Sequence, residues 1–364
     1  MDFSEYTGPS EEWIALEKTL PTATPDLTIE QFKDVTNKGR EEVAARELVE
    51  QGLNRKVTLH DLSIPTRDGA TLEARSYRPI GINIDTKPLP VYIHLHGGGF
   101  LFGTLSSEDT SCARIVATLA AQGTPIVVVN VNYRHTPEHK YPVAWHDTED
   151  AFHWIHDNLN LPEITGDAGN VLLGGISAGA WLTAATTLAQ NIGEDKALAA
   201  RPKIKGQVLM IPALVYYGCY DSQVAQLRDP AVSSWVENRD APVLPFDRVK
   251  LFMELLGVEE GKADEEDLAL NPGNASAEQV KGLPPATFGI AGRDPLRDEG
   301  LLFAKLLSEN GVPTKTNVFR GVPHGFRRYG DALSVSKKWD EVVVEGIKWA
   351  LGDPQPGPFE IQAY

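Results

Sequence analysis

Apolar and polar residues repeat with two different periods along this chain, and the change of period divides it. Before residue 56, apolar positions recur at helical spacing and predict amphipathic helices over residues 11–19, 28–37 and 39–52. From residue 56 the pattern alternates with a period of two on either side of a turn, which predicts a β-hairpin over residues 57–64 and 71–77. A helical segment therefore precedes a sheet.

Short apolar runs then alternate with longer helical patterns. The predicted strands cover residues 91–95, 125–131, 171–174, 207–212, 286–291 and 314–319. The predicted helices cover residues 107–122, 146–158, 178–191, 296–310 and 333–351. Continuous β-branched runs such as residues 126–131 are typical of parallel strands that are buried on both faces. The sequence predicts an α/β fold, with a mostly parallel sheet between two layers of helices.

The alternation stops between Pro212 and Pro284, where the sequence has no clear strand pattern and one helical pattern at 247–255. An insertion at the carboxyl end of a parallel strand lies over the sheet edge where such folds bind ligands. We therefore predict a helical cap over an α/β core. The predicted cap comprises residues 1–55 and 214–283, and the predicted core comprises residues 56–213 and 284–364.

Composition and charge narrow the classes of partner. The chain has 50 acidic and 34 basic residues, a formal net charge of −16. Nucleic acids and anionic membranes are bound by basic patches, so we expect neither as a partner. Cys112 and Cys219 form no disulfide or metal-binding pattern, and no secretory signal or membrane-spanning apolar run is evident. We predict a cytoplasmic protein; the sequence leaves the oligomeric state open, and a homodimer is compatible with it.

The candidate chemistry begins at Gly-Ile-Ser-Ala-Gly, residues 175–179, directly after the apolar run at 171–173. A Gly-x-Ser-x-Gly turn between a buried strand and a helix is a nucleophile elbow. The tight turn forces the serine into a strained backbone conformation and leaves room only for glycines around it. Ser177 is therefore the candidate nucleophile.

A serine nucleophile needs a base, and the base needs an acid that orients it. Of nine histidines only His324 follows Ser177, and it lies in a glycine- and proline-containing loop after the last predicted strand. The candidate acid is Asp294, in the loop after the preceding strand, whereas Asp298 falls on the next helix and is the weaker candidate. Because it precedes Pro295, Asp294 also fits the N-cap of a helix, and that role remains an alternative.

Acyl transfer also requires N–H groups that stabilise an oxyanion. The strand at 91–95 leads into His-Gly-Gly-Gly-Phe at 96–100, where consecutive glycines let backbone N–H groups turn into a site. The N–H group of Ala178, at the start of a helix, adds a further donor. No Lys-Ser or Lys-Thr follows the glycines, which argues against a phosphate-binding loop. We expect His96 to support the loop through hydrogen bonds.

Together these motifs resemble the hormone-sensitive-lipase-like carboxylesterases of the α/β-hydrolase superfamily. The matching segments occur in family order: His-Gly-Gly-Gly at 96–99, Asn-Tyr-Arg at 132–134, Gly-Ile-Ser-Ala-Gly at 175–179, Asp-Pro-Leu-Arg-Asp-Glu-Gly at 294–300 and His-Gly-Phe at 324–326. The resemblance implies an α/β-hydrolase fold, an eight-stranded, mostly parallel sheet with helices on both faces under a helical cap, without cofactor or metal. It also implies site residues: a triad of Ser177, Asp294 and His324, with oxyanion donors at Gly98, Gly99 and Ala178.

The chain departs from the family pattern at a few positions. Ile176 stands where Asp or Thr is common, Ala180 where Gly is common, and His135-Thr136 where Leu-Ala is more usual. We expect these departures to affect substrate preference and fine geometry and to leave the triad chemistry intact.

The sequence thus predicts a serine carboxylesterase that hydrolyses a small, soluble, moderately apolar ester or lactone through an acyl-enzyme on Ser177. An amidase, thioesterase or acyl-transfer enzyme remains an alternative, because the acyl-enzyme is common to all of them. A non-catalytic small-molecule receptor on the same fold is a further alternative, which the presence of His324 disfavours. Aromatic candidates for the substrate pocket, each with core packing as an equal alternative, are Phe100, Trp181, Tyr216, Tyr217 and Phe326.

Overall fold

The computed structural model describes residues 1–21, 27–82, 88–193, 195–259 and 263–364. In these ranges the chain forms one nine-stranded sheet with the order β1-β2-β4-β3-β5-β6-β7-β8-β9. The strands are β1 (Val57–Pro65), β2 (Thr71–Pro79), β3 (Leu89–Leu95), β4 (Val127–Asn132), β5 (Gly166–Ile176), β6 (Gln207–Met210), β7 (Ala286–Arg293), β8 (Thr314–Pro323) and β9 (Ile361–Ala363).

The sheet is mostly parallel. The predicted hairpin β1–β2 is antiparallel, β2 pairs antiparallel with β4, and every other neighbouring pair is parallel. The predicted α/β-hydrolase fold is confirmed, but the predicted number of eight strands is wrong. The ninth strand, β9, pairs with β8, and the Tyr364 N–H donates to the Val318 carbonyl over 2.9 Å. Three residues are too few for a periodic pattern, so the sequence did not indicate this strand.

Helices cover both faces of the sheet and the edge above it. They are α1 (Glu11–Glu17), α2 (Ile29–Glu50), α3 (Asp109–Ala121), α4 (Val143–Asp157), α5 (Ala178–Ile192), α6 (Lys196–Ala199), α7 (Asp221–Val224), α8 (Ser234–Glu237), α9 (Phe246–Leu255), α10 (Ala277–Val280), α11 (Arg297–Glu309) and α12 (Val335–Ala350). Short 3₁₀ helices occupy Ser4–Tyr6, Leu53–Arg55, Ser106–Glu108, Tyr217–Cys219, Pro230–Val232, Pro272–Asn274 and Phe326–Ala332.

The sheet separates two apolar cores, and β4 contributes to both. Val127, Val129 and Val131 belong to the core that also contains residues of α4, α5 and α11, whereas Val128 belongs to the core on the opposite face, with residues of α3 and α12. All four valines are fully buried. This explains why the segment is continuously apolar: successive strand side chains point to opposite faces, and here both faces are covered.

Helix α2 differs from its prediction. The sequence predicts two helices, 28–37 and 39–52, but the structure has one helix that runs through Gly39 to Glu50. A glycine inside a helix is destabilising by only about 1 kcal/mol relative to alanine. Gly39 faces open space, and contacts of α2 with the 3₁₀ helix Ser106–Glu108 and with α3 offset this loss. The start is as the sequence indicates: the Thr28 hydroxyl accepts a hydrogen bond from the Gln31 N–H over 3.2 Å.

The segment between β6 and β7 contains no strand within its described residues, 211–259 and 263–285. It contains short helices and α9, which begins at Phe246, one residue before the predicted helix at 247–255. Across the described ranges, none of the helices combines the length and the apolar character that a bilayer crossing would need.

Candidate active site

Ser177 lies on a sharp turn between β5, which ends at Ile176, and α5, which begins at Ala178. Its backbone angles, φ 53° and ψ −114°, are those that a residue with a side chain rarely adopts, so the predicted strain is present. The Ser177 N–H donates to the Met210 carbonyl over 2.8 Å, which anchors the turn to β6. A Cβ atom on Gly179 would overlap the Leu95 carbonyl oxygen, so the approach of α5 to β3 requires glycine.

The structure brings Ser177, His324 and Asp294 together in one chain of hydrogen bonds. His324 Nε2 lies 2.9 Å from Ser177 Oγ, and His324 Nδ1 lies 2.6 Å from Asp294 Oδ2. Asp294 is 1% exposed, and Ser177 and His324 are each 8% exposed. A buried chain of this kind can supply a nucleophile, a base and an acid that orients the base.

The second carboxylate oxygen of Asp294 forms a hydrogen bond to the backbone. Oδ1 accepts a hydrogen bond from the Leu296 N–H over 2.9 Å, so Asp294 also holds the turn that leads into α11. The alternative role as helix N-cap is not observed, because α11 begins at Arg297 and Leu296 occupies its N-cap position. Asp298 lies elsewhere: it pairs with the buried Arg297 at 2.8 Å and accepts the Ser234 N–H over 2.6 Å.

Strand topology explains why Asp294 and His324 meet. β7 and β8 are parallel neighbours whose last paired residues are Arg293 and Pro323. Asp294 and His324 are the residues directly after these two ends, so both extend from the same edge of the sheet. Strand β8 is longer than predicted, because it runs to Pro323 instead of ending at residue 319.

The glycine loop after β3 folds into a tight turn. Gly98 has φ 145°, and a Cβ atom there would overlap the Phe102 carbonyl. The Gly98 carbonyl accepts hydrogen bonds from the N–H groups of Leu101, over 3.1 Å, and Phe102, over 3.0 Å. Gly98, Gly99 and Ala178 line the same cavity as Ser177. The Ala178 N–H is the first of α5 and belongs to the first turn, whose N–H groups have no partner within the helix.

His96 supports this loop from behind, as the sequence predicts. Its ring stacks on Tyr133 with centroids 4.3 Å apart, its Nδ1 lies 3.2 Å from the Gly97 carbonyl oxygen, and its Nε2 lies 3.3 Å from His135 Nε2. Burial and the neighbouring His135 lower the pKa of His96 to about 3. Burial, with the charges of Lys33 and Arg40, lowers the pKa of His135 to about 3. Both rings are thus neutral near pH 7, so His96 donates to Gly97 and accepts from His135.

One face of α2 holds the loop through three side chains and one backbone carbonyl at helical spacing. Two hydrogen bonds reach backbone groups of the loop: Asn37 Oδ1 accepts from the Gly103 N–H over 2.9 Å, and Arg40 Nη1 donates to the Gly97 carbonyl over 3.1 Å. Two more involve hydroxyl groups: Glu41 Oε1 accepts from Thr104 over 2.7 Å, and the Ala44 carbonyl accepts from Thr110 over 2.6 Å. Residues spaced three to four apart share one side of a helix, which places all four toward residues 97–110.

Ser177 and His324 open onto a cavity of about 650 Å³. Its walls come from the glycine loop, the elbow, α2 and the segment at 243–253. Apolar residues that line it include Phe32, Val43, Ile176, Val249, Phe252 and Met253. A volume of this size accommodates a small to medium-sized organic molecule.

Two of the five aromatic pocket candidates, Phe100 and Trp181, line this cavity. The other three do not. Phe326 is fully buried and packs between Phe319 and Trp339, with ring centroids 5.1 and 5.4 Å away. Tyr216 and Tyr217 pack against each other, with centroids 4.8 Å apart, outside the cavity lining. An aromatic residue near a motif is as compatible with core packing as with a pocket, and for these three the core contacts prevail.

A family model described as alpha/beta hydrolase fold matches residues 92–328. The chain belongs to this family. Among relatives of this hydrolase, Esterase LipI of Mycobacterium tuberculosis is 30% identical and aligns over 79% of this chain and 81% of its own length. The ethyl acetate hydrolase of Pseudomonas putida is 31% identical over 80% of this chain and 83% of its own length.

Solved structures agree with this assignment. The hydrolase superimposes on a hyperthermophilic esterase from the archaeon Pyrobaculum calidifontis with a TM-score of 0.73 and 28% identity, over 94% of this chain and 98% of the esterase. Vibralactone cyclase matches with a TM-score of 0.82 and 26% identity, over 96% of this chain and 97% of the cyclase. The hydrolase is thus a hormone-sensitive-lipase-like carboxylic ester hydrolase, as its motifs indicated.

Several residues of this site escaped the sequence analysis. Phe32 and Arg40 on α2, and Val249 and Phe252 on α9, all line the cavity of the hydrolase. The available signal was only the helical spacing of α2 and α9, which predicts a buried face without saying what it faces. No group of three or more His, Cys, Asp or Glu side chains suited to a metal ion occurs among the described residues.

Proposed function

We propose that this hydrolase is a serine carboxylesterase in which Ser177, His324 and Asp294 form the catalytic triad. The observation that carries the proposal is the hydrogen-bonded chain from Ser177 Oγ to Asp294, with distances of 2.9 and 2.6 Å, at the wall of the cavity. His324 takes the proton of Ser177 as Oγ attacks the ester carbonyl, and returns it to the leaving alcohol. Water activated by His324 then hydrolyses the acyl-enzyme, while Asp294 holds the Nδ1–H tautomer and stabilises the imidazolium.

The N–H groups of Gly98, Gly99 and Ala178 are the proposed oxyanion donors, and residues 1–55 and 214–283 form the proposed two-part cap. The substrate is a small, soluble, moderately apolar ester or lactone, because the cavity walls contributed by both cap segments are largely apolar. We keep the cytoplasmic location and an optional homodimer as predictions, to be tested by cell fractionation and by size-exclusion chromatography with light scattering.

A series of 4-nitrophenyl esters from acetyl to dodecanoyl tests this function, with Ser177→Ala as the matched control. We expect hydrolysis with a short-chain optimum by the native hydrolase and none above background by Ser177→Ala. Failure of the native protein on every ester would exclude a general esterase. Full activity in Ser177→Ala would mean that another residue is the nucleophile.

A second candidate, acyl transfer in place of hydrolysis, is favoured by one observation. The solved structure with a TM-score of 0.82 and 96% coverage of this chain is named a cyclase, not an esterase. In this reading an alcohol or amine, on the same or another molecule, replaces water in the second step. Product analysis by mass spectrometry in the presence of alcohol and amine acceptors separates the two: ester, lactone or amide products indicate transfer, and free acid alone indicates hydrolysis.

A further inference from the structure

Arg40 on α2 bonds to the peptide unit that carries a proposed oxyanion donor. Its Nη1 donates to the Gly97 carbonyl oxygen over 3.1 Å, and its Nη2 lies 3.2 Å from Glu108 Oε1. Glu108 is itself buried and lies 3.0 Å from His94 Nε2. Burial opposes ionisation of Glu108, but the hydrogen bond and charge of His94 and the charge of Arg40 outweigh it, so its pKa is lowered. Arg40 is thus held by a fixed carboxylate.

The planarity of the peptide gives this contact a consequence for the site. In a trans peptide the C=O and N–H bonds point in opposite directions within one plane. The Gly97 carbonyl and the Gly98 N–H belong to the same unit, so a donor that holds the carbonyl also sets the direction of the N–H. Such a constraint is needed here, because Gly98 has φ 145° and no side chain to restrict its rotation.

We propose that Arg40 is a positioning residue that holds the Gly98 N–H toward the oxyanion, so that the N-terminal helix completes the active site. The inference rests on the proposed function, since it assumes that Gly98 is an oxyanion donor. His96 donates to the same carbonyl, so loss of Arg40 leaves the peptide partly held. Removal of a whole oxyanion donor lowers turnover by about 10²–10³-fold. Loss of Arg40 is expected to lower it by about tenfold, as only the alignment is affected.

The test compares Arg40→Gln and Arg40→Lys with Arg46→Gln, an exposed position on the same helix whose nearest carboxylate is 3.9 Å away. For each we would measure kcat, KM, thermal stability and the inhibition constant of a trifluoromethyl ketone, which forms an oxyanion adduct with the serine. Arg40→Gln should lower kcat and the affinity for the ketone by the same factor, while KM stays within about twofold of the native value. Arg40→Lys should recover part of both, and Arg46→Gln should match the native protein.

A folded Arg40→Gln variant with native kcat would overturn the inference, as would a loss of kcat without a parallel loss of ketone affinity. If Arg40→Gln does not fold, Arg40→Lys decides by the same comparison. Failure of the proposed function itself looks different, because the native protein would then hydrolyse no ester.

A different observation, the pairing of the arginines around the cavity, carries a second inference. Arg40, Arg114 and Arg327 each have a carboxylate partner, at 3.2, 3.2 and 2.8 Å. Arg248 and Arg328 line the same cavity, and neither forms an ion pair with any carboxylate in the described ranges. They come from separate elements, α9 and the 3₁₀ helix Phe326–Ala332.

The two arginines differ in exposure: Arg248 is half-buried, whereas Arg328 is exposed with its guanidinium 5.4 Å from the Tyr329 ring centre. The Arg248 Nη1 donates to the Val243 carbonyl over 2.8 Å, and its guanidinium lies 5.4 Å from the Phe32 ring centre. Burial lowers the pKa of Arg248, and the charge of Arg328 lowers it further. Two like charges that face one cavity in a chain of net charge −16 form a local attraction for an anion.

We infer that Arg248 and Arg328 bind a carboxylate carried by the ester substrate, so the substrate class is an apolar ester with a terminal acidic group. This too rests on the proposed function. The test compares two nitrophenyl esters of equal chain length, the neutral valerate and the anionic hemiglutarate. The variants are Arg248→Gln and Arg328→Gln. The control is Arg239→Gln, an exposed arginine of the same segment that does not line the cavity.

We expect Arg248→Gln to lower kcat/KM for the anionic ester by about tenfold, the low end for a hydrogen bond to a charged group, and Arg328→Gln to act in the same direction. Both variants should keep kcat/KM for the neutral ester within about twofold of the native value. Added salt should lower kcat/KM only for the anionic ester. An equal effect on both esters, or none on either, would overturn the inference. Lack of turnover on both esters by the native protein would refute the proposed function instead.

Discussion

Replacement of Asp294 by asparagine gives the most informative single perturbation of the site. The two oxygens of the native carboxylate have different partners. Oδ1 accepts a hydrogen bond from the Leu296 N–H over 2.9 Å, and Oδ2 lies 2.6 Å from His324 Nδ1. Asparagine has the same shape but one oxygen and one NH₂ group. The Leu296 N–H requires an acceptor, so the amide oxygen takes the Oδ1 position and the NH₂ group faces His324.

In that arrangement His324 Nδ1 must accept a hydrogen bond, so the ring proton moves to Nε2. The Nε2 atom, 2.9 Å from Ser177 Oγ in the native site, then cannot take the serine proton. For a triad with the wrong tautomer we expect kcat to fall by about 10⁴-fold. The fold should change little, because both hydrogen bonds of the side chain keep partners.

The assay is steady-state hydrolysis of 4-nitrophenyl butyrate, with circular dichroism and thermal unfolding to verify the fold. Asp298→Asn is the matched control on the neighbouring acid, whose carboxylate contacts Arg297 and Ser234 and not the histidine. If folded Asp294→Asn kept kcat within tenfold of native while Asp298→Asn lost more, the assignment of the orienting acid would be refuted.

Two further outcomes are expected. The pKa values of His96 and His135, about 3 in the folded protein, lie below the ordinary histidine value of about 6.5. Between about pH 6.5 and pH 3 these two histidines are therefore protonated in the unfolded chain and neutral in the folded chain. The stability that these neutral histidines contribute should be fully present above pH 6.5 and decrease as the pH falls. His135→Gln should make the decrease of Tm between pH 7 and 4.5 shallower. An unchanged slope of Tm against pH would contradict this. Deletion of residues 357–364 removes β9 and exposes the edge of β8, so Tm should fall by on the order of 5 °C and the chain should self-associate in light scattering. A monomer of native stability would show that β9 does not protect this edge.

The sequence predicted the order of the core elements and the three residues of the proposed triad, because these depend on local patterns. Strand–helix alternation, a glycine-flanked serine and a single histidine after it are all visible without coordinates. Asp294 could be chosen over Asp298 because the ends of parallel neighbouring strands meet at one edge, which topology alone dictates.

What the sequence did not reveal depends on long-range packing. The continuity of α2 through Gly39 is decided by contacts with the loop at 97–110, which no local pattern encodes. The same holds for Phe326, whose core contacts with Phe319 and Trp339 are set by β8 and α12. Ile176 was noted only as a departure from the family. In the structure it lines the cavity beside Gly97, and its Cγ2 atom lies 3.2 Å from the position that a Cβ atom on Gly97 would occupy.

The central claim is that Ser177 is activated by His324 and forms the covalent intermediate. The most direct measurement is labelling with a nitrophenyl phosphonate ester, followed by peptide mass spectrometry and residual activity on the same samples. The account predicts one phosphonyl group per chain, attached to Ser177, with activity lost in proportion and no adduct in Ser177→Ala. A phosphonyl group on another residue that accounts for the lost activity, or full activity after quantitative labelling of Ser177, would contradict it.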